Sequence, residues 1–148
     1  MVDVTTRIVI AASTDKVAAY AADPDNAPGW YKNIKSVEWK TPKPLGIGSR
    51  ISFKAKFLGK ELAYIYEIKE YRPGQLLVMS TSEGPFPMQT TYQWQAINDH
   101  ACSMTLRNSC KPNGFSKLLS PFMKLAMSRA NKKDLKLLKS IMENNQSN

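Results

Sequence analysis

The chain has 148 residues, and its 21 lysines and arginines against 12 acidic residues give a formal charge of +9. That length favours one domain, 1–148, able to build a core without staples. No apolar run reaches the roughly 18 residues of a membrane span, and the opening MVDVTTRIVIAAS lacks the basic and long apolar regions of a signal peptide.

In chain order, Val4 to Ala11 is rich in β-branched residues and reads as a strand. Ser13 or Thr14 can cap a helix whose apolar side is Val17, Ala18 and Ala21, and Pro24 bars its continuation. A second short helix is expected over Ala27 to Asn33, followed by a strand carrying Ile34, Val37 and Trp39. PKPLGIGS is a loop. RISFKAKF alternates cleanly, with Ile51, Phe53, Ala55 and Phe57 on one face. It turns at Gly59 into the return strand ELAYIYEIKEY.

RPGQ is the next turn, with Pro73 preset for it and Gly74 free to take positive φ. LLVMSTS, MQTTYQWQAI and ACSMTLRNSC complete the strands, interrupted by EGPFP and by the turn NDH. From Phe115 the pattern becomes helical. Ser120-Pro121 resembles a cap, and Phe122, Met123, Ala126, Met127, Ala130, Leu137, Leu138 and Ile141 recur at helical spacing up to about Glu143. The last residues, 144–148, read as a frayed tail.

Strands joined by hairpins make an antiparallel sheet with one apolar face, and a single long helix must cover it. A seven-stranded sheet bent around one helix leaves a gap, which is the candidate site. The fold class is therefore α+β: a curved antiparallel sheet with two short helices after the first strand and a long C-terminal helix enclosing a cavity.

Strand parity predicts which side chains face that gap. Leu62, Tyr64 and Tyr66 share the face of Ile68; Met88, Thr90, Tyr92 and Trp94 form a second row; Met104, Leu106 and Asn108 form a third. Ser80 and Ser82 are candidates from the strand between. Arg107 has the outward parity. Trp30 and Tyr31 stand where the chain leaves the first helices, and adjacent residues of a helix cannot point the same way. Trp30 is expected to plug the sheet end and Tyr31 to sit at the rim, with PLGIG as the opposing lip. The candidate ligand-binding residues are Trp30, Tyr31, Phe53, Tyr64, Tyr66, Met88, Tyr92, Trp94, Met104, Asn108, Phe122 and Met123.

Other chemistries find little support. The single histidine, His100, lies in a tight turn, no cysteine–carboxylate cluster has metal-ligand spacing, and GIG lacks the rest of a phosphate loop. No metal or cofactor is expected, and no catalytic residue is assigned. Cys102 and Cys110 lie eight residues apart on one strand, about 26 Å at the usual strand rise. They are too far apart to pair. Free thiols with no export signal favour the reducing cytoplasm. The basic excess of the last third is read as a solvated helix face, with weak contact to an anionic membrane as the alternative. Nucleic acid is not expected, because exposed aromatics interleaved with basic residues are lacking.

Three strings, TTRIVIAASTDKVAAYAADPDNAPGW, YEIKEYRPGQLL and DLKLLKSIMEN, carry a resemblance to the START-like (SRPBCC, helix-grip) superfamily, in its polyketide cyclase/dehydrase-like branch. The resemblance covers nearly the whole chain and implies the helix-grip architecture. None of the strings is catalytic. Members of this superfamily bind lipids, sterols, polyketides or plant hormones, and some are enzymes. The resemblance thus implies a small hydrophobic ligand in the cavity. The alternatives are an enzyme that cyclises or dehydrates a polyketide-like substrate, with a tyrosine as its acid or base, or a lipid carrier docking through its basic helix.

Overall fold

The computed structural model describes residues 2–57, 59–83, 87–110 and 120–146, without the side chains of 2, 57, 83, 110, 120–123 and 145–146. Strand β1 (Val2–Ile10) leads into helix α1 (Thr14–Ala22), a short 3-10 turn (Pro24–Asn26) and helix α2 (Ala27–Trp30). Strands β2 (Ile34–Trp39), β3 (Arg50–Phe57), β4 (Lys60–Arg72), β5 (Leu76–Glu83), β6 (Met88–Asn98) and β7 (Ala101–Cys110) follow, and helix α3 (Ser120–Gln146) ends the chain.

The seven strands form one antiparallel sheet in the order β1-β7-β6-β5-β4-β3-β2. Hairpin neighbours pair throughout, and β1 closes onto β7. Register shifts between Ile34 and Ser36, Ile65 and Tyr66, Ile68 and Glu70, and Ala96 and Asn98 add residues to one strand of a pair. Such bulges bend and twist a sheet. Two of them lie between β4 and β5, one adding Ser82 on β5 and the other adding Lys69 on the 13-residue β4. Positive φ at Gly59 and Gly74 lets the β3–β4 and β4–β5 turns close.

The inward parity of the strands follows the alternation. Ile51 and Phe53 on β3, Tyr64, Tyr66 and Ile68 on β4, Thr90, Tyr92 and Trp94 on β6, and Met104, Leu106 and Asn108 on β7 are buried. On β5 the buried residues are Leu77 and Met79. Ser80 pairs with Glu67 and Gln89 on the opposite parity, and Ser82 is exposed, so neither serine joins the inner wall. Arg107 faces outward, where it donates two hydrogen bonds to Asp3.

Helix α3 is 27 residues long, about 40 Å at the standard rise. Its C-terminal half seats firmly: Leu135, Leu138 and Met142 join the core. The Glu143 carboxylate accepts from the Ala11 backbone N–H at 2.8 Å and from Lys139, whose Nζ also donates to the Val9 carbonyl at 2.9 Å. The segment from Met127 to Asp134 faces a cavity instead. This division of one helix into a seated half and an open half positions the site.

Candidate functional site: a cavity with one polar side

Between the sheet and the N-terminal part of α3 lies a cavity of about 150 Å³. A dry cavity of that size accommodates a benzene-sized guest. Its sheet wall is built from alternate residues of β3 to β6: Ile51, Phe53, Tyr64, Tyr66, Leu77, Met79, Met88 and Tyr92. Ala21, Ala22 and Ala27 bring α1 and α2 close to it, and Leu45 reaches it from the β2–β3 loop. Aromatic rings pack edge to face in the wall and behind it: Phe53 with Tyr66 at 5.7 Å on the wall, and Tyr92 with the core residue Trp94 at 6.0 Å between centroids.

The expected site residues divide. Tyr31, Phe53, Tyr64, Tyr66, Met88, Tyr92 and Asn108 line the cavity. Trp30, Trp94 and Met104 are buried in the core behind it and do not line it. The strand parity of Trp94 and Met104 is inward, but they lie toward the seated half of α3, where the interior is filled. The side chains of Phe122 and Met123, and the EGPFP break at 84–86, lie outside the described residues.

The Trp30–Tyr31 pair stands at the exit of α2. Trp30 is fully buried, as a plug should be. Tyr31 is half-buried and lines the cavity, and its hydroxyl hydrogen-bonds the hydroxyl of Tyr92. The two rings pack on each other with centroids 4.2 Å apart. Helix α2 ends at Trp30, short of the expected Asn33, and Tyr31 takes an extended backbone (φ −89°, ψ 109°). Leaving the helix between the two residues frees Tyr31 from the 100° step that would have turned it away.

The PLGIG loop does border the cavity through Leu45, while Ile47 is 73% exposed. The loop is tied to the opposite lip at Asp25, whose carboxylate accepts from Trp39 Nε1 at 2.9 Å and from Lys43 Nζ at 2.6 Å. The Lys43 ammonium lies 5.2 Å from the centre of the Trp39 ring. These contacts hold the Asp25 carboxyl below its ordinary range.

The side of the cavity facing α3 is polar. Thr90 Oγ1 donates to Asn108 Oδ1 at 2.6 Å, and Asn108 Nδ2 donates to Asn131 Oδ1 at 3.1 Å. Asn131 Nδ2 is buried and has no hydrogen-bond partner among the described residues. One helical turn on, Asp134 is 3% exposed, lines the cavity, and accepts from the Lys32 backbone N–H at 3.1 Å. Burial raises its carboxyl to about 6, against the opposing influence of the Lys32 N–H and charge. The Tyr31 and Tyr92 hydroxyls are held well above the usual phenol range, chiefly by burial, and Asp134 adds to both shifts. Both therefore remain protonated in ordinary buffers. Their mutual hydrogen bond uses one of two protons, so the pair still has one to donate.

Asn131 and Asp134 are not among the residues expected from the sequence, because polar residues on a basic helix read as part of its solvated face. The spacing Met127, Asn131, Asp134, Leu138 runs i, i+4, i+7, i+11 on one stripe. Two polar residues inside an otherwise apolar stripe were the available signal.

Among the described residues, no lysine, arginine or histidine lines the cavity, and no cluster of three potential metal ligands is found. His100 is exposed in its turn. Cys102 is a free, buried thiol. Lys124, Arg129, Lys132, Lys133 and Lys136 are exposed on α3. No described helix is long and apolar enough to cross a membrane.

With the geometry established, comparison with known proteins places the chain. The family described as polyketide cyclase/dehydrase and lipid transport matches residues 1–143. The chain belongs to that family. Its fold is the helix-grip fold of the START superfamily. A START superfamily protein of Mycobacterium smegmatis superposes with a TM-score of 0.81 at 14% identity, covering 96% of this chain and 97% of the other. A Thermus thermophilus protein gives 0.79 at 20% identity, over 93% and 94%. An aromatase/cyclase from a Streptomyces species gives 0.80 at 14% identity, over 95% and 93%. No curated protein sequence matches this family member. At such identities the shared property is the fold.

Proposed function

We propose that the chain works as one ligand-binding domain, which takes a small, largely apolar organic molecule into the cavity between sheet and α3. The observation that carries this reading is the cavity itself: about 150 Å³ of space walled mainly by aromatic and aliphatic side chains, with Asn108, Asn131 and Asp134 forming a polar side toward α3. Apolar burial drives entry at about 25 cal/mol per Å² removed from water. The polar side fixes orientation. Membership of a family that includes lipid transport supports the same reading.

The test is native mass spectrometry of the protein as purified from cells, paired with an Ala130→Phe variant that fills the cavity from the helix side. The native protein is expected to retain a small organic molecule that the variant releases. Equal retention by the variant, or binding of a neutral fluorescent probe undiminished by it, would overturn the proposal.

A second reading, cyclisation or dehydration of a polyketide-like substrate, is favoured by one observation. Asp134 is a carboxyl on the cavity wall whose proton affinity lies near neutrality, the range suited to a general acid or base. It is a better candidate than the tyrosines, whose hydroxyls hold their protons too tightly to serve as bases. An Asp134→Asn variant that binds substrate but no longer turns it over supports this reading; unchanged turnover rejects it.

A further inference from the structure

One lip of the cavity is closed by side chains alone. The β2–β3 loop is anchored at both ends. At its start the Lys40 N–H donates to the Arg50 carbonyl at 2.9 Å, and the Arg50 N–H donates to Thr41 Oγ1 at 3.0 Å. At its end the Gly46 N–H donates to Ser49 Oγ at 3.0 Å. The Gly48 N–H donates to the Ile68 carbonyl and the Ile68 N–H to the Ser49 carbonyl, both at 2.9 Å. Between these anchors Pro42, Lys43, Pro44 and Leu45 make no backbone hydrogen bond among the described residues. The two prolines fix φ and carry no N–H, so this span is a stiff strap. Leu45 is its contribution to the cavity lining, and Pro24 lines the cavity from the facing 3-10 turn.

The Asp25 carboxylate ties strap and turn together. Oδ2 accepts from Lys43 Nζ at 2.6 Å and Oδ1 from Trp39 Nε1 at 2.9 Å, while the Lys43 ammonium lies over the Trp39 ring. The turn itself does not need these bonds, because the Asp25 backbone N–H is satisfied by Asp23 Oδ1 at 3.0 Å. The paired side chains are wet: Lys43 is 61% exposed and Asp25 44%. Such an ion pair adds little to stability and is screened by salt. It can hold a strap closed and still release it.

We infer that the cavity opens between Pro24 and Leu45, and that the clasp of Asp25, Lys43 and Trp39 sets how fast a guest enters and leaves without setting how tightly it binds. This rests on the cavity-binding reading above. None of the three clasp residues lines the cavity. A guest that does not touch them has no preference between closed and open clasp. Loosening the clasp therefore lowers the barrier equally in both directions.

The experiment follows fluorobenzene, a neutral probe matched to the cavity, by fluorine exchange NMR with the intact protein, which gives entry rate, exit rate and Kd. Asp25→Ala removes both bonds and should raise the two rates about tenfold, with Kd constant within about twofold. Lys43→Met should raise them about threefold. In the native protein the exit rate should rise about threefold between about 20 mM and about 1 M sodium chloride, and in Lys43→Met it should stay flat. Salting-out of an apolar guest does not hasten its exit, so the sign of the salt effect belongs to the clasp. Exit rates unmoved by Asp25→Ala and by salt mean that the guest passes elsewhere. A Kd that rises with the exit rate at constant entry rate makes Asp25 a support of the cavity's shape. Either result overturns the inference and leaves the cavity reading standing. No binding of fluorobenzene to the native protein overturns both.

Discussion

The two walls of the cavity are built on different terms. The sheet wall is apolar and aromatic; its hydroxyls and its one amide, Asn108, find partners within the protein. The α3 wall places an amide with an unmet donor and a buried carboxyl in the same stripe as Met127 and Leu138. The sheet wall resembles ordinary core that happens to be incomplete. The α3 wall carries groups that are unfavourable for stability, and a protein keeps such groups where they serve a ligand or a reaction.

This contrast can be broken first at α3 itself. Leu135, fully buried one residue past Asp134, belongs to the seated half. Leu135→Ala should lower unfolding free energy by about 2–5 kcal/mol in urea titration. A loss under about 1 kcal/mol would mean that the helix is not seated where its polar stretch ends.

Asp134→Asn should move stability in the opposite direction. The folded carboxyl titrates at about 6, above the roughly 3.9 of an unfolded aspartate. A raised carboxyl favours the folded state when protonated, so its contribution is complete below about pH 4 and is lost as pH rises to about 6. The Asn side chain keeps an acceptor for the Lys32 N–H and carries no charge. The variant should therefore gain on the native protein by up to about 3 kcal/mol at neutral pH, with the gap closing near pH 4. Denaturation midpoints measured across that range check the sign; a variant less stable at neutral pH than at pH 4, relative to native, contradicts it.

The smallest effect belongs to the junction of the two walls. Tyr31→Phe removes one member of the hydroxyl pair and leaves Tyr92 to find another partner in a buried setting. A cost of about 1–2 kcal/mol is expected. A double cycle with Tyr92→Phe should recover about 1 kcal/mol as coupling. Additive losses would mean that the two hydroxyls do not depend on each other.

Strand residues were legible because a period of two leaves little choice. Once Ile68 faces the helix, Tyr64 and Tyr66 must do so as well. What parity cannot say is how far along a strand the cavity extends, and so Trp94 and Met104 went to the core while Tyr92 and Asn108 went to the cavity wall. The end of α2 was misplaced by three residues: it falls at Trp30, just before Tyr31, and not at Asn33. A helix boundary is a weaker signal than alternation, and a shift of a few residues there redirects a whole ring.

The order of the elements, the inward rows of the sheet and the resemblance to the family were all present in the amino-acid sequence, because each follows from local periodicity and turn chemistry. Only the tertiary structure decided which polar residues the cavity would keep. Asn131 is fixed by Asn108, 23 residues away, and Asp134 by the Lys32 backbone, 102 residues away. Burial of a polar group depends on partners brought together by the whole fold, and no window along the chain contains them.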